Sequence, residues 1–151
     1  MKKTVFLTGA TGNMGAAGLA ELLKTKDLYN IVLLARPSKL NKEKLAYLKD
    51  EESVKIVWGD LLNYDDILKC VTGADIVLHV GGMVSPQADY FPKRTIKTNT
   101  EAAKNIVKAV LAQPNKDEIK VVYIGTVAQT SDRNEPIHWG RTGDPICISV
   151  Y

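Results

Sequence analysis

A glycine-rich stretch near the start of the chain carries the clearest chemical signal. Gly9, Gly12 and Gly15 lie between a short apolar run and a helix-like pattern. Glycines permit a tight turn whose backbone N–H groups approach a ligand closely, and the N-terminus of the following helix adds a partial positive charge. The turn therefore predicts a dinucleotide phosphate site, with an ordinary glycine-rich turn as the alternative. The residues expected to contact the cofactor here are Gly9, Thr11, Gly12, Asn13, Met14 and Gly15.

The segment after the second apolar run bears on which dinucleotide is bound. It reads Ala35-Arg36-Pro37-Ser38-Lys39, and it has no acid where NAD-binding folds place one to bind the ribose 2′-hydroxyl. Arg36 can form a charge-assisted hydrogen bond to a 2′-phosphate, and Ser38 or Lys39 can add a donor. We therefore predict NADP as the preferred cofactor, with NAD possible. The alternative is that Arg36 is a surface charge.

Polar and small residues also follow the third and fourth apolar runs. Asp60 can accept a hydrogen bond from the adenine amino group while Leu61 packs on the ring, although Gly-Asp is nearly as common as a plain turn. After the fourth run, small residues let a cofactor lie against the backbone, and His79 is interpreted as a packed strand residue rather than a catalytic base. The cofactor contacts expected there are Val80, Gly81 and Gly82.

Two further side chains could carry chemistry. Asn99, on a long predicted helix, can hydrogen-bond to the backbone at a strand end or hold a water molecule, with a solvated asparagine as the alternative. Thr126 follows the fifth apolar run, where its hydroxyl would face the same cleft.

Alternating apolar runs and amphipathic stretches predict the elements that position these residues. Strands are expected at 5–7, 31–34, 54–58, 75–80 and 119–124, and helices at 14–23, 40–48, 65–71 and 92–113. The last helix should bury Ile96, Ala103, Ile106, Val107, Val110 and Leu111. Continuously apolar strands between helices predict an α/β, doubly wound parallel sheet. Ligands bind such sheets at the carboxyl ends of the strands, near the point where the strand order reverses.

Composition excludes several other classes of protein. The chain has 151 residues, a net charge of +3 and no basic patch, so nucleic-acid binding is not expected. Cys70 and Cys147 form no metal or disulfide pattern, and His79 and His138 lie far apart in sequence, so no metal site is predicted. No apolar segment approaches the ~20 residues of a membrane span. We therefore expect a cytoplasmic protein without membrane contact.

Taken together, these positions resemble the extended short-chain dehydrogenase/reductase family, also called NAD(P)-dependent epimerases/dehydratases. The resemblance runs from Lys3 to about Thr126. It rests on the glycine turn and on Gly59-Asp60-Leu61, His79-Val80-Gly81-Gly82, Thr98-Asn99 and Tyr123-Ile124-Gly125-Thr126. It implies a Rossmann-like fold and hydride transfer at nicotinamide C4, on a carbonyl, an alcohol or a nucleotide sugar. The alternative is an NAD(P)-sensing regulatory protein without turnover.

The resemblance also implies a catalytic tyrosine, a lysine four residues later, a serine or threonine, and an asparagine. Thr126 and Asn99 match the last two positions. Tyr151 lies 25 residues beyond Thr126, within the family's spacing, but it is the last residue and the lysine position does not exist in this chain. The alternative is that an insertion at 138–141 places the matching tyrosine beyond residue 151, and Tyr151 is then an arbitrary residue. We expect residues 1–151 to be one dinucleotide-binding domain, truncated after the fifth strand and without the substrate part. The isolated chain should be inactive, and the intact protein should be a homodimer.

Overall fold

The computed structural model describes residues 1–126 and contains a five-stranded sheet. Each pair of neighbouring strands is parallel, and the strand order is β3-β2-β1-β4-β5. The predicted α/β, doubly wound parallel sheet is therefore confirmed. The strands are β1 (Lys3–Thr8), β2 (Tyr29–Ala35), β3 (Val54–Trp58), β4 (Ile76–His79) and β5 (Lys120–Tyr123).

Helices connect the strands as the sequence pattern predicts, with one addition. A one-turn helix between β4 and the long helix was not predicted, and the long helix ends at Leu111 rather than at Gln113. Gly73 has φ +79° and lies two residues beyond the end of the third helix, a position at which glycine commonly ends helices. The helices are α1 (Asn13–Lys24), α2 (Lys39–Leu45), α3 (Tyr64–Val71), α4 (Gln87–Tyr90) and α5 (Pro92–Leu111), with a 3₁₀ turn at Ala46–Leu48.

Side chains that alternate along the strands form one apolar core on each face of the sheet. On one face, Phe6 and Val77 pack with residues of α3 and α5, including Ile67, Cys70 and Ile106. On the other face, strand residues pack with Leu19 of α1, Leu45 of α2 and the 3₁₀ turn. Burial on both faces explains why these strands read as continuous apolar runs.

The order of the strands places the candidate site. The chain moves outward from β1 through β2 to β3, then crosses to the opposite side for β4 and β5. The strand order therefore reverses between β1 and β4, which pair from Val5 with Ile76 to Thr8 with His79. Ligands of doubly wound sheets bind at such a reversal, beyond the carboxyl ends of the strands. The glycine turn after β1 and the small residues after β4 lie at this position.

The predicted buried face of α5 is partly wrong. Ile106 and Val110 are buried, but Ile96, Val107 and Leu111 are 52, 54 and 61% exposed. The stripe that α5 buries is completed by small residues, namely Thr95, Ala102 and Ala109. Apolar side chains lie on both sides of this helix, so their spacing did not distinguish the side that meets the sheet.

Two apolar residues at helix starts are exposed. Met14 is 62% and Leu40 60% exposed, whereas Leu19 and Leu45 on the same helices are buried. Both exposed residues lie in the first turn of their helix. The position of Met14 leaves the N-terminus of α1 open to solvent.

The buried and the exposed side of α5 should contribute differently to the stability of the fold. Ile106→Ala should lower the free energy of unfolding by about 2–4 kcal/mol, because it opens a cavity between α3, α5 and the sheet. Val107→Ala, one residue along the helix and 54% exposed, is the matched control and should change it by less than about 0.5 kcal/mol. Urea unfolding of both variants gives the comparison. Equal losses would contradict the observed orientation of α5.

Candidate functional site

The glycine turn closes tightly on the first turn of α1. Gly9 has φ +76°, and the N–H of Gly12 donates to the carbonyl of Gly9 at 2.9 Å. A Cβ on Gly15 would overlap the Gly9 carbonyl, so helix and turn can approach this closely only if residue 15 is glycine. The spacing of these glycines thus has a steric cause, because Gly9 supplies the backbone angle and Gly15 the space.

The N-terminus of α1 leaves several backbone N–H groups without a partner in the helix. Its N-cap, Gly12, offers no side chain to the helix, and the first turn holds no acid. The N–H of Ala16 donates to the Gly12 carbonyl at 2.8 Å, so the preceding N–H groups of Asn13, Met14 and Gly15 have no partner within the helix. Gly12, Asn13 and Met14 are exposed. The orphan N–H groups and the helix dipole together favour a phosphate here.

A lysine from α2 reaches the same turn. The Lys44 Nζ donates to the carbonyl of Thr11 at 2.9 Å, which holds a positive charge beside the N-terminus of α1. Sequence reasoning missed this residue, because α2 contains several lysines and nothing in their spacing singles one out. The contact links α2, and with it the segment after β2, to the turn before α1.

The segment after β2 is shaped by the start of α2. The Ser38 Oγ accepts from the backbone N–H of Asn41 at 3.2 Å and so caps α2, while its own O–H can still donate. The carbonyl of Arg36 accepts from Ser38 N–H at 2.8 Å and from Asn41 Nδ2 at 3.0 Å. These bonds hold the backbone of Arg36 in place. The residue itself is exposed to solvent. Arg36 and Ser38 therefore lie on one ordered turn beyond β2.

The two candidate residues in the turn after β3, Asp60 and Leu61, make different contacts. The Asp60 Oδ1 accepts from Leu62 N–H at 2.9 Å, which is the turn contact that the sequence left open as an alternative. A Cβ on Gly81 would lie 3.1 Å from Leu61 Cδ1, so Leu61 lies against the loop after β4. The Asn105 Nδ2 of α5 donates to the Leu61 carbonyl at 3.2 Å. Sequence reasoning missed Asn105, which anchors this turn.

Asn99 binds the backbone that follows β4. Its Oδ1 accepts from Met83 N–H at 2.8 Å and its Nδ2 donates to the Met83 carbonyl at 3.0 Å. A Cβ on Gly82 would lie 3.2 Å from Asn99 Oδ1, so the small residue allows this approach. Of the possibilities that the sequence left open, the structure shows hydrogen bonds to backbone, in the loop that follows β4.

The loop after β4 and the glycine turn are in direct contact. A Cβ on Gly9 would lie 2.8 Å from the N and Cα atoms of Gly81. Thr126 follows β5, which pairs with β4, and is therefore at the same edge of the sheet. Tyr151 lies outside the described residues. The structure thus brings together the turns after β1, β3 and β4, with Asn99 behind the last of them.

Burial shifts the pKa of two titratable side chains, His79 and Cys70, towards the neutral form. Burial lowers the pKa of His79, which is packed in the strand as predicted. Burial, with a smaller effect of Asp66, raises the pKa of the Cys70 thiol to about 12, so Cys70 is a neutral core residue. Within residues 1–126, no His, Cys, Asp and Glu side chains form a group that could hold a metal ion. No helix in that range is long and apolar enough to cross a membrane.

Comparisons with known proteins agree with this geometry. Residues 5–145 match the family model described as the NAD dependent epimerase/dehydratase family. UDP-glucose 4-epimerases from Rickettsia felis and Rickettsia bellii are 30% and 32% identical over 128 residues, which cover 82% of this chain and 36% of each relative. The chain thus matches about a third of the length of these relatives.

Solved structures show the same fold. The UDP-Glc/GlcNAc 4-epimerase from Campylobacter jejuni superposes with a TM-score of 0.78 at 20% identity, covering 99% of this chain and 44% of that one. The Bordetella bronchiseptica enzyme WbmH, solved in complex with NAD+, superposes with a TM-score of 0.66 at 22% identity, covering 87% and 41%. At these identities the likeness establishes the fold alone.

The buried imidazole yields a prediction of pH dependence. The unfolded chain takes up a proton on His79 near its ordinary pKa of 6.5, whereas the folded chain, with its lowered pKa, does so only at lower pH. Stability from this group is therefore present above pH 6.5 and decreases as the pH falls below it. One proton gives a slope of at most about 1.4 kcal/mol per pH unit.

His79→Asn removes this titration and leaves every other histidine in place. Urea unfolding of both chains between about pH 7.5 and about pH 5.5 isolates the contribution of His79 as the difference between the two curves. The wild-type chain should lose stability more steeply on acidification. Parallel curves would contradict a lowered pKa at His79.

Proposed function

This chain belongs to the NAD-dependent epimerase/dehydratase family, and we propose that it is the dinucleotide-binding part of an NADP-preferring oxidoreductase or epimerase. The observation that carries the proposal is the uncapped N-terminus of α1, packed through Gly15 onto Gly9 at the reversal of strand order. That arrangement offers unpaired N–H groups where a pyrophosphate is bound in doubly wound sheets.

Each part of the site is assigned a part of the cofactor. The turn after β3, with Asp60 and Leu61, would hold the adenine, and the loop after β4 would lie along the nicotinamide ribose. Asn99 supports that loop through Met83. The pyrophosphate would bind the backbone of Gly9, Thr11, Gly12, Asn13, Met14 and Gly15, and the ribose would contact Val80, Gly81 and Gly82.

The reaction of the whole protein is proposed from its relatives and from the residues beyond β5. The relatives are named UDP-glucose 4-epimerase, and we extend from them a nucleotide-sugar or other carbonyl or alcohol substrate. Hydride would pass to or from nicotinamide C4 when the cofactor is bound. Thr126 would hold the reacting substrate oxygen, and Tyr151 would exchange its proton. Asn99 would support the proton path.

A preference for NADP is supported by the charges around α2. Arg36 follows β2 without a neighbouring acid, Ser38 keeps an O–H for donation, and Lys44 lies at the turn after β1. A 2′-phosphate between these groups would gain charge-assisted hydrogen bonds. NAD is the second candidate, because WbmH is described in complex with NAD+.

A homodimer of the whole protein is proposed from the outer face of α5. Val107 and Leu111 are exposed there and line an open apolar groove together with Ala103. Exposed apolar surface of this kind is stabilised when another apolar surface covers it. Lys104 and Lys108 border the groove and would lie at the rim of the interface.

The glycine turn provides the test of cofactor binding. Gly15→Ala should abolish detectable binding of NADH and NADPH, because the new methyl group overlaps the Gly9 carbonyl and must displace the turn or the helix. Gly18→Ala is the matched control on the same helix, since no atom lies within 4 Å of its added Cβ. It should bind both cofactors like the wild-type chain. Calorimetric titration of the three chains measures this, and the proposed function is wrong if the wild-type chain binds neither cofactor.

Arg36 provides the test of cofactor preference. Arg36→Ala should weaken NADPH binding by about 1–3 kcal/mol, because it removes a charge-assisted contact to the 2′-phosphate, and should leave NADH binding nearly unchanged. Lys24→Ala, at the far end of α1, removes the same charge away from the site and should affect neither. Equal losses for both cofactors, or none, would exclude Arg36 from the phosphate site.

A further inference from the structure

A buried hydroxyl lies between the glycine turn and the loop after β4. The Thr8 Oγ1 is 2.8 Å from His79 Nδ1, 3.1 Å from Val80 N and 2.9 Å from Gly81 N. Backbone N–H groups only donate, so Val80 and Gly81 occupy both lone pairs of the oxygen. The single hydroxyl hydrogen must then point at His79. Counting donors and acceptors thus makes Nδ1 the acceptor, and a neutral ring carries its hydrogen on Nε2.

The surroundings of His79 keep the ring in this form. The residue is 4% exposed, and burial is what lowers its pKa, with no charged group of residues 1–126 adding to the shift. Thr8 of β1 does not titrate, and from β5 the phenol ring of Tyr123 lies 5.6 Å away, centroid to centroid. A second ring hydrogen, on Nδ1, would face an oxygen that has no lone pair left.

The bonded loop lies directly against the glycine turn. Gly81 lies close to both Gly9 and Thr8. A Cβ added to Gly81 would lie 3.1 Å from Thr8 Oγ1 and 3.1 Å from Gly9 N. A shift of the Gly81 backbone therefore moves the Gly9 turn or opens the contact between them. Thr8 Oγ1 can accept from both N–H groups only if its own hydrogen points away from them. The direction of the Thr8 O–H bond therefore decides whether Val80 and Gly81 are held.

We propose that His79 is a positioning residue of the cofactor site: by accepting the Thr8 proton at Nδ1, it directs both lone pairs of Thr8 Oγ1 to Val80 and Gly81 and so holds the loop against the glycine turn. The effect on cofactor binding rests on the proposed function. The orientation of the hydrogen bonds does not depend on it. Neither residue needs to touch the cofactor.

The tautomer of His79 is measured without any ligand. A long-range ¹H–¹⁵N spectrum of the imidazole rings of the full 151-residue chain at about pH 7.5 distinguishes the two neutral forms and the charged form. The His79→Asn chain lacks the His79 signals and identifies them. The proposal requires a ring with its hydrogen on Nε2. A hydrogen on Nδ1, or a doubly protonated ring, would overturn it.

Binding of NADH and NADPH, followed by nicotinamide fluorescence, tests the consequence. His79→Leu removes the acceptor and should weaken binding by about ten-fold, whereas His79→Asn offers an amide oxygen near the position of Nδ1 and should retain binding within about three-fold. Thr8→Val and Thr8→Ser form a second pair with the same expected contrast, which decides the matter if His79→Leu does not fold. Thermal unfolding separates loss of binding from loss of fold.

The outcomes are distinguishable from failure of the proposed function. If the wild-type chain binds neither cofactor, the proposed function is wrong, and the ring spectrum still decides the direction of the hydrogen bond. If the wild-type chain binds but the two members of each pair bind equally well or equally poorly, the positioning role is wrong. The positioning role is supported if His79→Asn and Thr8→Ser, which keep an acceptor and a hydroxyl, retain cofactor binding while His79→Leu and Thr8→Val lose it.

Discussion

The contact of three backbone segments at Gly9 is the constraint on which the candidate site depends. Gly15 approaches from α1, where a Cβ would overlap the Gly9 carbonyl, and Gly81 approaches from the loop after β4, where a Cβ would be crowded at 3.1 Å from Gly9 N. Close approach brings polar backbone groups of separate segments to one place, where their N–H groups can converge on a ligand. Since Gly9 and Gly81 follow the two strands between which the strand order reverses, the sheet topology and the local steric fit specify the same position.

Polar side chains hold the loops that surround this contact. Thr8 binds the N–H groups after β4, Asn99 binds both polar groups of Met83, and Asn105 binds the Leu61 carbonyl after β3. Loop backbone that is partly removed from water needs such partners, because an unpaired group there is destabilising. Each of these bonds restrains the position of its loop relative to the sheet.

The fold was predictable because its signals are local and repeated. The apolar runs of β1, β2 and β4 are continuous since both faces of the sheet are covered, and the glycine turn lies directly between β1 and α1. His79 and Cys70 are packed as predicted. The exposed side of α5 was not predictable, since Val107 and Ile106 are equally apolar and only packing distinguishes them. The role of Tyr151 stays a prediction, because the 25 residues after Thr126 lie outside the described part of the chain.

The site was less predictable than the fold, because several of its contacts join residues far apart in sequence. Lys44 reaches Thr11 across 33 residues, and no pattern separates this lysine from its neighbours on α2. Its position has a consequence for cofactor choice. In the proposed site the N–H groups of α1 would bind a pyrophosphate, which NAD and NADP share, so the turn itself would not discriminate between them. Under that proposal, discrimination falls to Arg36, Ser38 and Lys44, whose positions depend on how α2 begins after β2.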